Sequence, residues 1–142
     1  MIRKASAKPV LLDTHAWIWM MEDNPHLKKS KAAIDELVPE SQIFVSTISL
    51  WEVAMIESKK RIRFPVTALE WLRKAVTAPG LRVIPISPEI AVESCQLPES
   101  FHGDPADKLL IATARIMDSR LVTHDKKILN YAQKGHLEVL AV

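Results

Sequence analysis

The sequence predicts an α/β fold with a central, mainly parallel sheet that is covered by helices on both faces. Two observations predict it. Short apolar runs of strand length alternate along the chain with stretches whose apolar residues recur at helical spacing, and such alternation is typical of parallel sheets. The 142 residues, 48% hydrophobic and 25% charged, have the composition of one ordinary globular domain. We expect that domain over residues 9–142, after a flexible leader over residues 1–8.

The predicted strands are short apolar runs bounded by turn residues: residues 10–12, 43–46, 81–86, 120–123 and 137–142. The predicted helices are the amphipathic or apolar stretches between them: residues 14–21, 26–37, 49–59, 66–78, 88–97, 105–118 and 126–132. Two helix starts carry capping signals. Ser49 and Glu52 have the spacing of a capping box, and Asp104 with Pro105 gives an N-cap followed by proline at the first helical position.

Acidic residues occur where predicted strands end and helices begin. Asp13 comes directly after the first strand, Glu52 follows the second, and Asp125 follows the fourth. Asp107 lies at the start of the predicted helix 105–118, close to Asp104. Because the carboxyl ends of parallel strands meet at one edge of a sheet, we expect these side chains to converge there.

Converging carboxylates indicate a cation site. Two unpaired carboxylates about 4 Å apart repel by roughly 4 kcal/mol at an effective dielectric constant of 20. Mg²⁺ binds carboxylate oxygens and completes its coordination shell with water and substrate phosphate. One or two such ions activate a water molecule and stabilise the departing oxygen of a phosphodiester. The acidic residues therefore favour metal-dependent chemistry on a phosphate ester.

Each acidic residue also has a purely structural explanation. Asp13, Asp104 and Asp125 are suited to cap the helices that follow them. Glu52 has the position of the capping-box partner of Ser49, and an acid in the first turn, such as Asp107, is favoured by the helix dipole. Caps could equally use Ser, Thr or Asn, however, and the recurrence of acids at one edge of the sheet favours the metal site.

Four segments carry a resemblance to a known family: residues 12–15, 46–52, 102–112 and 123–125. They resemble the PIN domain, and within it the VapC-type toxins of bacterial toxin–antitoxin pairs. The resemblance covers nearly the whole chain in the right order. It implies a three-layer α/β/α PIN-like fold and a Mg²⁺- or Mn²⁺-dependent endoribonuclease that cleaves RNA phosphodiester bonds. It also implies a small antitoxin that blocks the site and, usually, a homodimer. The cytoplasmic location that we expect rests instead on the single cysteine of the chain, which fits a reducing compartment.

The resemblance assigns the catalytic and metal-binding roles to a quartet of acids: Asp13, Glu52, Asp107 and Asp125. Asp104 is a further acid that either binds the metal or only caps its helix. Thr14 and Thr123 match small hydroxyl-bearing positions of the family and would orient a carboxylate or a metal-bound water. Hydrolysis is expected to leave 5′-phosphate and 3′-hydroxyl ends.

Any RNA contact must come from a local basic patch, because the net charge of +2 gives no overall basic field. The densest basic cluster consists of Lys59, Lys60, Arg61 and Arg63. These residues are candidates for contacts with the RNA backbone, or they form a solvated helix end favoured by the dipole. Lys108 is a further candidate phosphate contact, at a position where the family often has Arg.

Histidines lie close to the acids at three places, His15, His102 and His124, which leaves a mixed His/Asp transition-metal site open. Tryptophan occurs four times, at Trp17, Trp19, Trp51 and Trp71. These indole rings sit in apolar periodic contexts and are expected in the core or at a subunit interface, with base stacking as the alternative. The single cysteine, Cys95, excludes an intrachain disulfide, and its flanks predict a buried thiol.

Other classes of protein are disfavoured by what the sequence lacks. With three glycines, the chain carries neither a dinucleotide-binding motif after the first strand nor a phosphate-binding P-loop. No apolar run approaches the roughly 18 residues of a membrane span. Two alternatives stay open: a non-catalytic PIN-fold module that binds RNA or protein, and a housekeeping RNA-processing nuclease.

Overall fold

The computed structural model describes residues 8–23 and 42–142, and within these ranges the strands form one five-stranded parallel sheet in the order β3-β2-β1-β4-β5. The strands are β1 (Val10–Leu12), β2 (Ile43–Ser46), β3 (Leu81–Ile84), β4 (Arg120–Thr123) and β5 (Val139–Ala141). The predicted helix 26–37 and residues 1–7 of the predicted leader lie outside the described residues. Lys8 is described, and its Nζ lies 3.2 Å from Asp118 Oδ1 and 2.6 Å from Glu138 Oε1.

The helices of the described ranges connect these parallel strands: α1 (Thr14–Met21), α2 (Thr47–Ser58), α3 (Ala68–Ala75), α4 (Pro88–Ser94), α5 (Pro105–Ile116) and α6 (Lys126–Ala132). None of them is long and apolar enough to cross a membrane. β1 is the central strand, and it pairs with β2 on one side and β4 on the other. The carboxyl ends of these three strands are therefore neighbours.

The side chains of β1 alternate between two buried clusters on opposite faces of the sheet. Val10 and Leu12 belong to the first cluster, which contains residues of α1, α2 and α3, such as Trp17 and Trp71. Leu11 belongs to the second cluster, which is built largely from α5 and α6. Helix α4 packs against α5. A sheet buried on both faces in this way has three layers, as the sequence predicts.

Helix α2 begins earlier than predicted, and the predicted capping box is wrong. Ser46 is the N-cap, and its Oγ accepts a hydrogen bond of 3.2 Å from the backbone N–H of Ile48. The strand β2 passes directly into the helix, so its last residue supplies the cap and no separate loop is needed. Ser49 and Glu52 consequently lie inside the helix, where their side chains are available for contacts other than capping.

Two of the packing predictions need correction. Cys95 is exposed, because α4 ends at Ser94 and the cysteine is its C-cap rather than a residue of the buried helix face. Trp51 is 56% exposed and does not belong to the core. Trp17 and Trp71 are buried in the first cluster, as predicted, and their rings meet edge to face at a centroid distance of 5.3 Å.

The predicted bounds of several other elements are longer than the observed ones. Helix α3 starts after the N-cap Thr67, whose hydroxyl accepts from the N–H of Glu70, and not at residue 66. Strand β3 ends at Ile84, two residues before the predicted end, and Pro85 follows it. A proline has no N–H for the hydrogen-bond ladder, so continuation of the strand is disfavoured there.

Because one isoleucine of α5 is buried and another is exposed, substitutions at the two positions should change the stability of the protein by very different amounts. Ile111 is fully buried, whereas Ile116 is 46% exposed. Replacing Ile111 by Ala leaves a cavity between sheet and helix and is expected to lower the free energy of unfolding by about 2–5 kcal/mol. Replacing Ile116 by Ala should change it by about 0.5 kcal/mol or less. Urea unfolding followed by circular dichroism measures both, and equal losses would contradict this core.

Candidate active site

A cleft of about 350 Å³ opens at the carboxyl ends of β1, β2 and β4. All five predicted acids line it: Asp13, Glu52, Asp104, Asp107 and Asp125. The other lining residues come mostly from α1, α2 and the end of β4: Thr14, His15, Trp19, Met55, Ile56, Arg61, Leu110 and His124. The convergence expected from the parallel strand order is therefore present in the structure.

Asp13 is a buried acid whose two carboxylate oxygens are both held by hydrogen bonds. One oxygen caps α1 and accepts from the backbone N–H of Ala16 at 2.8 Å. The other accepts from the hydroxyl of Thr123 at 2.5 Å. Burial raises the pKa of Asp13 above its ordinary value, and these two hydrogen bonds partly offset the rise. The carboxylate is thus fixed in position at the centre of the sheet edge.

Glu52 is held by the hydroxyl of Thr14, which is itself hydrogen-bonded to the hydroxyl of Ser49. The hydroxyl of Thr14, at the start of α1, donates to Glu52 Oε1 at 2.6 Å and shares a hydrogen bond of 2.9 Å with the Ser49 hydroxyl. Burial raises the pKa of Glu52, the negative charges of Asp104 and Asp13 raise it further, and the Thr14 hydrogen bond lowers it. Sequence reasoning assigned Ser49 to a cap and missed this role, although its position one turn before Glu52 places both on one helix face.

Asp107 is the acid whose negative charge is stabilised least by the groups around it. Its backbone N–H donates to Asp104 Oδ1 at 2.9 Å, which makes Asp104 the N-cap of α5. Its own carboxylate accepts no hydrogen bond from residues 8–23 or 42–142. Burial and, to a lesser extent, the surrounding negative charges together raise the pKa of Asp107 to about 7. These charges belong, in order of effect, to Asp104, Asp125, Glu52 and Asp13.

Asp125 combines a capping role with a place in the cleft. Its Oδ1 accepts from the backbone N–H groups of Lys127 and Ile128, at 2.8 and 3.1 Å, and so caps α6. Its own backbone N–H donates to Thr123 Oγ1 at 3.1 Å. Since the Thr123 hydroxyl also donates to Asp13, this threonine joins two of the acids through one side chain.

The donor set of the cleft fits a hard divalent cation such as Mg²⁺ or Mn²⁺, because it consists of carboxylates. Capping does not remove a carboxylate from this set, since each capping carboxylate keeps a lone pair on at least one of its oxygens. In the described part of the chain, no three or more His, Cys, Asp or Glu side chains are arranged to hold one ion together. Mg²⁺ needs only one or two protein carboxylates and completes its shell with water and phosphate.

The predicted histidine and basic residues divide between the cleft and other surfaces. His15 and His124 line the cleft, whereas His102 and Lys108 line a separate pocket beside Cys95. Arg61 lines the cleft directly beyond the end of α2. The rest of the basic cluster, Lys59, Lys60 and Arg63, is exposed and does not line it.

Fold and site together define a class: three-layer α/β/α proteins with an acidic cleft at the carboxyl ends of a parallel sheet. The family model of the PIN domain matches residues 10–134. The chain therefore belongs to the PIN-domain family. It is 36% identical over 119 residues to Ribonuclease VapC22 of Mycobacterium tuberculosis, a match that covers 84% of this chain and 88% of that protein.

Solved structures with the same fold include a toxin–antitoxin complex from Klebsiella pneumoniae, which matches with a TM-score of 0.61 at 24% identity and covers 83% of this chain and 88% of that one. VapBC2 from Rickettsia felis, bound to a DNA fragment from its promoter, has a chain that matches with a TM-score of 0.69 at 16% identity, covering 93% of this chain and 97% of that one. VapBC-1 from nontypeable Haemophilus influenzae matches with a TM-score of 0.68 at 14% identity, covering 93% and 96%. These likenesses confirm the predicted PIN-like fold.

The raised pKa of Asp107 predicts how stability depends on pH. Its folded-state pKa of about 7 exceeds the ordinary value of 3.8, so protonation stabilises the folded protein at low pH, and this contribution is lost as pH rises from about 4 to 7. Asp107→Asn removes the buried charge. In EDTA at pH 8 we expect the variant to have a Tm higher by on the order of 5 °C, with a much smaller difference at pH 4.5.

Differential scanning calorimetry across this pH range measures the effect. Asp118→Asn is a matched control, because Asp118 is exposed and does not line the cleft. Adding MgCl₂ at pH 8 should stabilise the wild type and narrow its difference from Asp107→Asn, since a ligand of the folded state raises Tm. If the difference in Tm between Asp107→Asn and the wild type did not change with pH, the raised pKa assigned to Asp107 would be refuted.

Proposed function

We propose that this protein is an endoribonuclease that hydrolyses RNA phosphodiester bonds with the help of Mg²⁺ or Mn²⁺, and that it is the toxin of a toxin–antitoxin pair. The observation that carries the proposal is Asp107. A part-buried carboxylate without a hydrogen-bond donor from the described residues, facing four more carboxylates, is stable as an anion only beside a cation. The 36% identity to a ribonuclease supports RNA as the substrate.

The acids of the cleft would hold the cation: Asp13, Glu52, Asp107 and Asp125, together with Asp104. When bound, a divalent ion polarises the phosphate and lowers the pKa of water. The chain supplies the fixed positions of the carboxylates. Thr14 holds Glu52 and Thr123 holds Asp13, so two hydroxyl groups orient two acids. Hydrogen bonds of this kind, made to the metal ligands rather than to the metal, fix the orientation of the ligands.

Arg61 is suited to bind a phosphate group of the RNA. It lines the acidic cleft, and a guanidinium can donate two parallel hydrogen bonds to one phosphate. The exposed Lys59, Lys60 and Arg63 would contact phosphates farther along the strand and make binding sensitive to salt. Lys108 lines another pocket, so any phosphate contact it makes lies away from the acids.

The proposal includes two protein partners, a second copy of this chain and a small antitoxin. Large apolar side chains are exposed at helical positions that include Leu69, Val92 and Ile116, and burying such groups against a partner is favourable. A solved structure with the same fold is a toxin–antitoxin complex from Klebsiella pneumoniae. Both facts support the partners, and the relation to a VapC ribonuclease favours the toxin over a housekeeping nuclease.

The function is tested by incubating purified protein with total RNA in Mg²⁺, in Mn²⁺ and in EDTA. We expect cleavage with either metal and none in EDTA, with 5′-phosphate and 3′-hydroxyl ends. Asp107→Asn should lower the rate by roughly 100-fold or more, because even outer contacts of a metal site are worth 10–100-fold. The control Asp118→Asn should cleave normally. Equal cleavage by Asp107→Asn would refute the site, and no cleavage in any metal would favour the non-catalytic binding module.

The hydroxyl of Thr14 provides a second, finer test. Thr14→Val keeps the shape of the side chain but removes the donor to Glu52. We expect a loss of about 10–100-fold in activity or in Mg²⁺ affinity. Thr14→Ser keeps the hydroxyl and should restore most of both. Steady-state cleavage across a Mg²⁺ titration measures the two quantities, and similar behaviour of the Val and Ser variants would show that the hydrogen bond has no role.

A further inference from the structure

Three aromatic rings form one side of the acidic cleft. We call His15, Trp19 and His124 the aromatic wall. The Trp19 ring lies 5.4 Å from the His124 ring, centroid to centroid, at an interplanar angle of 69°. It lies 6.1 Å from the His15 ring, at 59°. All three residues line the same cleft as the five acids.

The aromatic wall is held in place by the fold. His15 and Trp19 are four residues apart on α1 and so share one helix face. Trp19 is partly buried and packs against the first hydrophobic cluster. His124 follows β4, and its Nδ1 forms a hydrogen bond of 2.7 Å with the carbonyl oxygen of Val142. These contacts restrict the rings of Trp19 and His124 before any ligand arrives, so these two rings lose little entropy on binding.

The chemistry of the aromatic wall differs from that of the acids beside it. Carboxylates repel the phosphates of RNA unless a cation intervenes, whereas aromatic rings attract the faces of bases. A phosphodiester placed at the acids carries a nucleotide on each side, and the base of one of them must lie close to the cleft. Aromatic side chains stack such bases when they are unpaired.

We propose that the aromatic wall is a nucleobase subsite, in which Trp19, flanked by His15 and His124, stacks the unpaired base of a nucleotide next to the scissile phosphate. The proposal rests on the proposed ribonuclease function and adds a specificity element to it. Every base has a face to stack, so such a subsite selects unpaired over paired nucleotides and discriminates weakly among the four bases.

The experiment uses a short fluorescein-labelled single-stranded RNA that the wild-type protein binds, taken from the RNA that it cleaves if cleavage is found. A set of copies is made, each with one abasic residue at a different position, and binding is measured by fluorescence anisotropy with Ca²⁺ in place of Mg²⁺, so that a cation is present at the carboxylates. At one position next to the cleavage site, we expect the abasic residue to weaken wild-type binding by on the order of tenfold. At the other positions the effect should be small.

Three variants then assign that effect to the aromatic wall. Trp19→Leu keeps an apolar side chain without an aromatic face and should bind intact RNA about tenfold more weakly, with no further loss on the abasic RNA. Trp19→Phe keeps an aromatic ring and should retain most of the difference in affinity between intact and abasic RNA. The control Trp51→Leu removes an exposed indole that does not line the cleft and should match the wild type. Circular dichroism establishes that each variant is folded.

The outcomes separate this proposal from the proposed function. If the wild type cleaves RNA but no abasic position weakens binding, the nucleobase subsite is wrong and the ribonuclease stands. The same conclusion follows if Trp19→Leu shows the wild-type abasic profile. If an abasic penalty is present and depends on Trp19 while no metal supports cleavage, the subsite is supported and the nuclease proposal fails.

Discussion

Repulsion among carboxylates at the end of the parallel sheet is the constraint on which this molecule depends. The strand order β3-β2-β1-β4-β5 brings acids from four segments into one cleft, where burial raises the free energy of the Asp13, Glu52 and Asp107 anions. Hydrogen bonds from Thr14 to Glu52 and from Thr123 to Asp13 offset part of this free-energy cost. Asp107 has no such donor in the described ranges, and its pKa rises to about 7. The folded chain therefore favours a proton or a cation at this point.

The same acids serve the fold and the site. Asp13, Asp104 and Asp125 are N-caps of α1, α5 and α6, so three helices begin where the cleft is formed. A cap satisfies backbone N–H groups that would otherwise lack partners. Loss of one of these acids therefore disturbs helix and cleft together. Glu52 and Asp107 cap no helix, and substitutions there report on the cleft with less effect on the fold.

The walls of the cleft differ in chemistry according to the strand that each follows. Arg61 comes after α2, which follows β2, and offers a cation. His15, Trp19 and His124 follow β1 and β4 and offer aromatic faces. A strand of RNA presents both phosphates and bases, so a cleft with a basic residue and an aromatic side beside its acids is complementary to both parts of a nucleotide.

The sequence by itself determined the order in which strands and helices follow one another, because apolar periodicity is a local property of the chain. It also determined which acids gather at one edge of the sheet, because the alternation of strands and helices implies parallel strands whose carboxyl ends share an edge. It also indicated the caps at Asp104 and Asp125, which are local hydrogen bonds. Tertiary structure decided the rest. Ser49 has the spacing of a cap, yet it contacts Thr14 because β2 runs straight into α2. In the sequence, Arg61 cannot be told from the three other basic residues of its cluster, and only the fold places it in the cleft. Trp19 and Trp51 both lie in apolar stretches of the sequence, but they differ in burial because burial depends on neighbours that are distant along the chain.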